Sequence, residues 1–150
     1  MAVKPIPDGY HSVTPFMMIK GVPEFIDFMK KAFGADEFER HTTPDGYVMH
    51  AEVRIGDSVI MMSEATERMG PVPSVIYLYV DDADAVYKKA LEAGATSIMQ
   101  PMNQFYGDRN AGVKDEFGNT WWIATHIEDV SPEELNRRRE EFTKKQKVNH

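Results

Sequence analysis

The chain has 150 residues, 42% hydrophobic and 11% aromatic, which is enough for one compact domain or for two half-size modules on a shared core. Its net charge of −7 excludes the basic face that binding to a nucleic-acid backbone requires. Cysteine is absent, which excludes disulfides, a thiolate nucleophile and thiolate metal ligands.

Residues 1–10 are an arm punctuated by Pro and Gly, with no apolar signal core. Residues 12–20 read as a strand, with Pro15 marking an edge or a strand end. From Val22, apolar residues fall at 22, 25, 26, 29, 32 and 33, a helical spacing that Gly34 terminates. A strand at 36–43 runs into the turn Thr43-Pro44-Asp45-Gly46. Residues 47–55 alternate: Met49, Ala51, Val53 and Ile55 to one side, His50, Glu52 and Arg54 to the other. Gly56-Asp57 makes a hairpin into a strand at 58–63.

A linker at about 66–73 follows. Beyond it come a strand at 75–80 and a helix with apolar positions 83, 86, 87, 90 and 91, capped by Asp81 or Asp82 and ended by Gly94. A strand at 96–100 stops at Pro101. Residues 102–110 read as a long polar-aromatic loop, a kind of segment that often carries function. Gly118-Asn119 turns into a last strand at 120–126. Ser131-Pro132-Glu133-Glu134 is a capping box that opens a tail helix at about 132–145. That helix is charged nearly all round and reads as a solvated or partner-docking extension. No run is long enough to cross a bilayer, so a soluble cytoplasmic protein is expected, with no membrane or nucleic-acid partner.

The order of elements repeats. Met29-Lys30-Lys31-Ala32-Phe33 matches Tyr87-Lys88-Lys89-Ala90-Leu91, 58 positions on. Gly34-Ala35 matches Gly94-Ala95, 60 on, and Gly56-Asp57-Ser58-Val59-Ile60 matches Gly118-Asn119-Thr120-Trp121-Trp122, 62 on. A drifting offset is what duplication with small insertions leaves. The reading is one α+β domain over 1–150, built of two βαβββ modules at about 11–65 and about 74–127, with the tail helix appended.

Thr14-Pro15-Phe16, Ala32-Phe33-Gly34-Ala35, Met49-His50-Ala51-Glu52, Gly56-Asp57-Ser58-Val59, Tyr106-Gly107-Asp108-Arg109 and Lys114-Asp115-Glu116-Phe117-Gly118 together resemble the vicinal oxygen chelate superfamily. That superfamily includes glyoxalase I, bleomycin-resistance proteins, fosfomycin-resistance enzymes and extradiol dioxygenases, and the resemblance is to its PhnB-like branch. It implies a cupped, eight-stranded mixed sheet with a small-molecule cleft on its concave face, and a homodimer, in some members with swapped modules. It also implies where a divalent ion is held in metal-using members: on the first and last strands of each module. By register these positions are Thr14, Ile60, Val75 and Trp122, none of them a carboxylate or imidazole, so no metal and no cofactor are expected.

The cleft face then gathers Thr14, Phe16, His50, Glu52, Arg54, Ile60, Tyr77, Tyr79, Trp122 and His126, with Tyr106 and Arg109 from the loop, an aromatic cup with a few polar groups. Ser12 and Ala124 share this face by alternation. Trp121 reads as core, and the Met17, Met18, Met61 and Met62 set as core filler or adaptable cleft wall. Arg109 would either clamp an anion bidentately or only position its loop. Glu52 and Arg54 would form an ordinary ion pair, or burial would raise the Glu52 pKa and make it a base.

Three functions are open. The first is metal-free binding of a small aromatic or cationic molecule. The second is a metal-dependent lyase, isomerase or dioxygenase with ligands displaced to His50, Glu52 and His126. The third is metal-free acid/base catalysis by Glu52 or His50.

Overall fold

The computed structural model describes residues 2–148. The first module contains β1 (Phe16–Ile19), α1 (Val22–Phe33), β2 (Asp36–Thr42), β3 (Val48–Ile55) and β4 (Ser58–Glu64). The second contains β5 (Val75–Tyr79), α2 (Ala83–Glu92), β6 (Thr96–Asn103), β7 (Asp108–Lys114) and β8 (Thr120–His126). Helix α3 (Pro132–Val148) closes the chain. Each module is a four-stranded mixed sheet, ordered β1-β4-β3-β2 and β5-β8-β7-β6. The first strand runs parallel to the last, as a helical crossover requires. The α+β class, the two similar modules and the terminal helix are as the sequence indicates. The eight strands lie in two sheets with no hydrogen-bonded pair between them among the described residues.

One core serves both modules. Helix α1 buries Val22, Phe25, Ile26, Phe28, Met29 and Ala32 and packs on α2. The Trp121 ring of β8, fully buried, lies 4.5 Å from Phe33 and 6.5 Å from Phe25, both on α1. The helix-covered faces of both sheets thus turn inward. The opposite faces stay open: Phe16 is 53% exposed, Val75 73%, Tyr77 41% and Tyr79 61%.

Duplication extends to the helix caps. The Glu64 carboxylate accepts the backbone N–H groups of Gly21 (2.7 Å) and Val22 (2.9 Å), where α1 has only glycine at its N-cap. Sixty-one residues on, Thr125 Oγ1 accepts the N–H of Ala83 (2.9 Å), and the Asp82 side chain caps Ala85 (3.1 Å). Glu64→Ala leaves the α1 donors without their acceptor and a charge off the helix's positive end, an expected loss of about 1–2 kcal/mol. A lowered urea midpoint at unchanged slope is the readout.

Three local expectations are corrected. Strand β1 begins at Phe16 rather than at residue 12, because the chain before Pro15 leaves the sheet, where Val13 is 84% exposed. Val48 is buried while Met49 is exposed, across a register shift opposite His41 and Thr42. Residues 102–110 are mostly strand: β6 continues past Pro101 through a register shift between Met99 and Met102 and turns at Gln104–Gly107 into β7.

The tail helix is largely solvent-exposed and touches its own chain through Arg138 and Phe142. Arg138 pairs with Glu128 (2.6 Å) and donates to the Phe105 carbonyl (3.1 Å), and Phe142 stacks near Phe105 at 5.0 Å. Gly107, at φ +103°, is needed here, since a Cβ would sit 2.3 Å from the Glu128 carbonyl oxygen. Among the described residues, no helix is long and apolar enough to cross a membrane.

Candidate functional site

The open face of the second sheet carries a pocket of about 330 Å³ lined by Tyr77, Met99, Gln104, Tyr106, Asn110 and Trp122. Register explains the gathering. Asp108, Asn110 and Gly112 alternate along β7 opposite His126, Ala124 and Trp122 of β8, and Tyr77 of β5 lies beside Trp122. The benzo ring of Trp122 lies across Gly112, where a Cβ would fall 2.4–2.9 Å from its carbons. The floor of the pocket is therefore an indole laid on bare backbone.

Polar groups behind the floor are fully paired. Buried Asn110 donates to the hydroxyls of Tyr77 (3.0 Å) and Tyr106 (2.8 Å) and accepts from Gln104 (2.9 Å). Buried Asp108 accepts from Tyr77 (2.7 Å) and Tyr79 (2.9 Å) and bonds His126 Nδ1 (2.9 Å). Burial pushes the Asp108 pKa up, but the three hydrogen bonds outweigh it and hold the carboxyl below its usual range. Burial and the bond to Asp108 push the Tyr77 phenol well up, so it stays a donor.

His126 bonds Asp108 and, through Nε2, Asp129 (2.7 Å), and its pKa is raised by those two bonds. A raised histidine pKa stabilises the fold fully below the ordinary value of about 6.5, and that contribution fades as pH rises through the raised value. In an NMR titration the His126 ring should titrate above 6.5, and Asp108→Asn should move its midpoint down.

The first sheet carries a second polar group on its open face. Tyr10, from the N-terminal arm, donates a short hydrogen bond to the Glu52 carboxylate, and the other Glu52 oxygen lies 2.8 Å from His50 Nε2. Glu52 is 5% exposed. Burial raises its pKa, yet the bonds from Tyr10 and His50 bring it below the ordinary value. The expectation of a raised Glu52 is corrected: a buried carboxylate with two donors favours its charged form. The bond to Glu52 leads the causes that lift the Tyr10 phenol to about 12. Arg54 does not pair with Glu52; its guanidinium stacks 4.9 Å over the Phe38 ring.

The structure places Phe16, His50, Glu52 and Arg54 on the first module, and Tyr77, Tyr79, Tyr106, Trp122 and His126 together on the second. Thr14 lies before β1 and bonds the His11 carbonyl (3.1 Å).

Two expected cleft residues are elsewhere. Ile60 is 5% exposed and belongs to the core; Phe16 pairs with Met61 and Met17 with Met62, so the β4 residues on the open face are Val59 and Met61. The slip arises because the β3–β4 hairpin closes from Ile55 to Ser58, whereas β7–β8 closes from Lys114 to Thr120. Arg109 is turned toward α2 and held bidentately by Asp84 (2.7 and 2.8 Å), so it ties the helix to the hairpin. Asp108, Asn110, Gln104 and Met99 were missed; alternation about Arg109 would have revealed the first two had 108–114 been read as strand.

Residues 11–123 match the family model Glyoxalase/Bleomycin resistance protein/Dioxygenase superfamily. The chain belongs to this superfamily. An uncharacterized protein of Mycobacterium bovis is 33% identical over 135 residues, covering 83% of this chain and 89% of its own length. Among solved structures, TioX from Micromonospora sp. ML1 superposes with a TM-score of 0.66 at 19% identity, covering 78% of this chain and 99% of TioX. A PhnB protein from Bacillus cereus gives 0.63 at 16% identity, covering 77% and 99%. At these identities the superpositions speak for the fold alone. Members of the superfamily are often dimeric and bind small molecules.

Metal-using members of the superfamily hold their ion on the first and last strands of each module. On the open faces of β1, β4, β5 and β8 stand Phe16, Met61, Tyr77 and Trp122, with Thr14, Val59, Val75 and Ala124 as neighbours. None of these eight offers a carboxylate or imidazole, and His126, further along the same face of β8, is already bonded through both ring nitrogens to Asp108 and Asp129, so the ion does not fit there.

Proposed function

We propose that this superfamily member binds a small planar aromatic molecule, neutral or cationic, on the Trp122 floor of the second module without a metal. The observation that carries this reading is the open aromatic pocket itself: an indole laid on Gly112 and walled by Tyr77 and Tyr106. Flat π-surface with fixed polar edges suits a planar ligand, and the Asp108 carboxylate behind the tyrosines, in a chain of net charge −7, favours a cation over an anion.

A second copy of the chain is the proposed cover. Phe16, Val75, Tyr77 and Tyr79 are exposed on the two open faces, and burying such rings between copies would close the pocket into a cleft. A thermal-shift screen of planar aromatic and organic-cation compounds tests the binding, with a saturable rise in Tm as the expected result. A flat response across the whole panel contradicts it.

A further inference from the structure

The second polar group lies on β2 and β3, away from the four strands that carry the superfamily's usual ion. Glu39-Arg40-His41 on β2 runs antiparallel to His50-Ala51-Glu52 on β3, with Glu39 directly opposite Glu52 and His41 directly opposite His50. Opposite residues share a sheet face, so two carboxylates and two imidazoles form one square on the open side. One ligand atom each from Glu39, His50 and Glu52 lies within 4.8 Å of the others. The ladder puts two glutamates face to face, which costs stability unless a positive charge lies between them.

We propose that Glu39, His50 and Glu52 bind one divalent transition-metal ion. The 2.8 Å between His50 Nε2 and a Glu52 oxygen is close to the roughly 3 Å that separates two neighbouring ligands each about 2.1 Å from a common ion. The remaining Glu52 oxygen is held by the Tyr10 hydroxyl, an outer partner that fixes the carboxylate's orientation. Burial of Glu52 anchors the site, while Glu39 is exposed and His50 half-buried, so an ion can enter from solvent. An imidazole with two carboxylates selects zinc, manganese or ferrous iron over calcium or magnesium, and three protein ligands leave positions for water or another oxygen.

Calorimetric titration of Zn²⁺ into chelator-treated, dialysed full-length protein tests the site. One ion per chain is expected, with at least tenfold weaker binding in both Glu39→Gln and His50→Gln and no change in His11→Gln. Because Glu39 is exposed, Glu39→Gln should melt within a few degrees of the parent without metal, which separates ligand loss from unfolding. The visible spectrum of the Co²⁺ form adds a readout independent of affinity. No binding, or binding that both site variants leave unchanged, overturns the proposal. Either outcome leaves the Trp122 pocket untouched, since that pocket uses none of these residues.

Discussion

Asp115→Ala is expected to lower the stability of the fold by about 4 kcal/mol, the largest loss from any single polar truncation in the chain. One oxygen of this buried side chain accepts the backbone N–H groups of Phe117 (2.8 Å) and Asn119 (2.9 Å). The other accepts from Asn119 Nδ2 (3.1 Å) and from the Trp121 indole N–H (2.8 Å). Asn119, fully buried, in turn accepts the N–H of Ser74 at the start of the second module. Removing the acceptor leaves four donors, most of them dry, and each unpaired donor costs on the order of 1–3 kcal/mol before relaxation.

The damage is not local. Trp121 is the ring that α1 of the first module packs on, so loosening its tether loosens the joint between modules. Tm should fall by roughly 8–16 °C for a chain of this size. Asp115→Asn should fall between the two, because its carbonyl keeps one pair of bonds while its amide faces donors with a donor. Calorimetry of the three proteins checks the order.

Gly112→Ala is expected to abolish or weaken ligand binding at least about tenfold, ~1.4 kcal/mol, while leaving the fold nearly intact. The backbone at Gly112 lies outside the left-handed region, so alanine strains nothing by itself. Its Cβ nevertheless meets the Trp122 ring at 2.4 Å, and the indole must leave the sheet and move into the space a ligand would take. A compound selected by the thermal-shift screen should lose its effect on this variant although circular dichroism and unlabelled melting stay close to the parent. Undiminished binding would remove the Trp122 floor from the account.

Much of the fold was legible because its signals are local. The helical spacing in 22–33, the glycine caps and the two-residue hairpin at Gly56-Asp57 each settle structure within a few residues. Duplication was visible in order though not in register, and register is where the reading slipped. A loop of different length between β7 and β8 hid a constant 61-residue offset in the paired strands, and Ile60 was assigned to the wrong face.

The site was harder to see because it depends on which strands are neighbours. Of the two roles open to Arg109, only the fold supplies the partner: Asp84, 25 residues earlier on α2, holds it. Glu39 gains meaning only opposite Glu52, and Asp108 only beneath two tyrosines from β5. Sequence alternation named the faces; only the sheet order named their partners.

The central claim is a ligand seated on Trp122, and the two indole N–H signals of the protein test it most directly. Trp121 is buried and bonded to Asp115, and Trp122 floors the pocket. On NMR titration with a stabilising planar aromatic compound, the Trp122 signal should shift saturably, together with Tyr77 and Tyr106, while Trp121 stays in place. Saturable stabilisation with an unmoved Trp122 signal would contradict the account and place the ligand elsewhere on the chain.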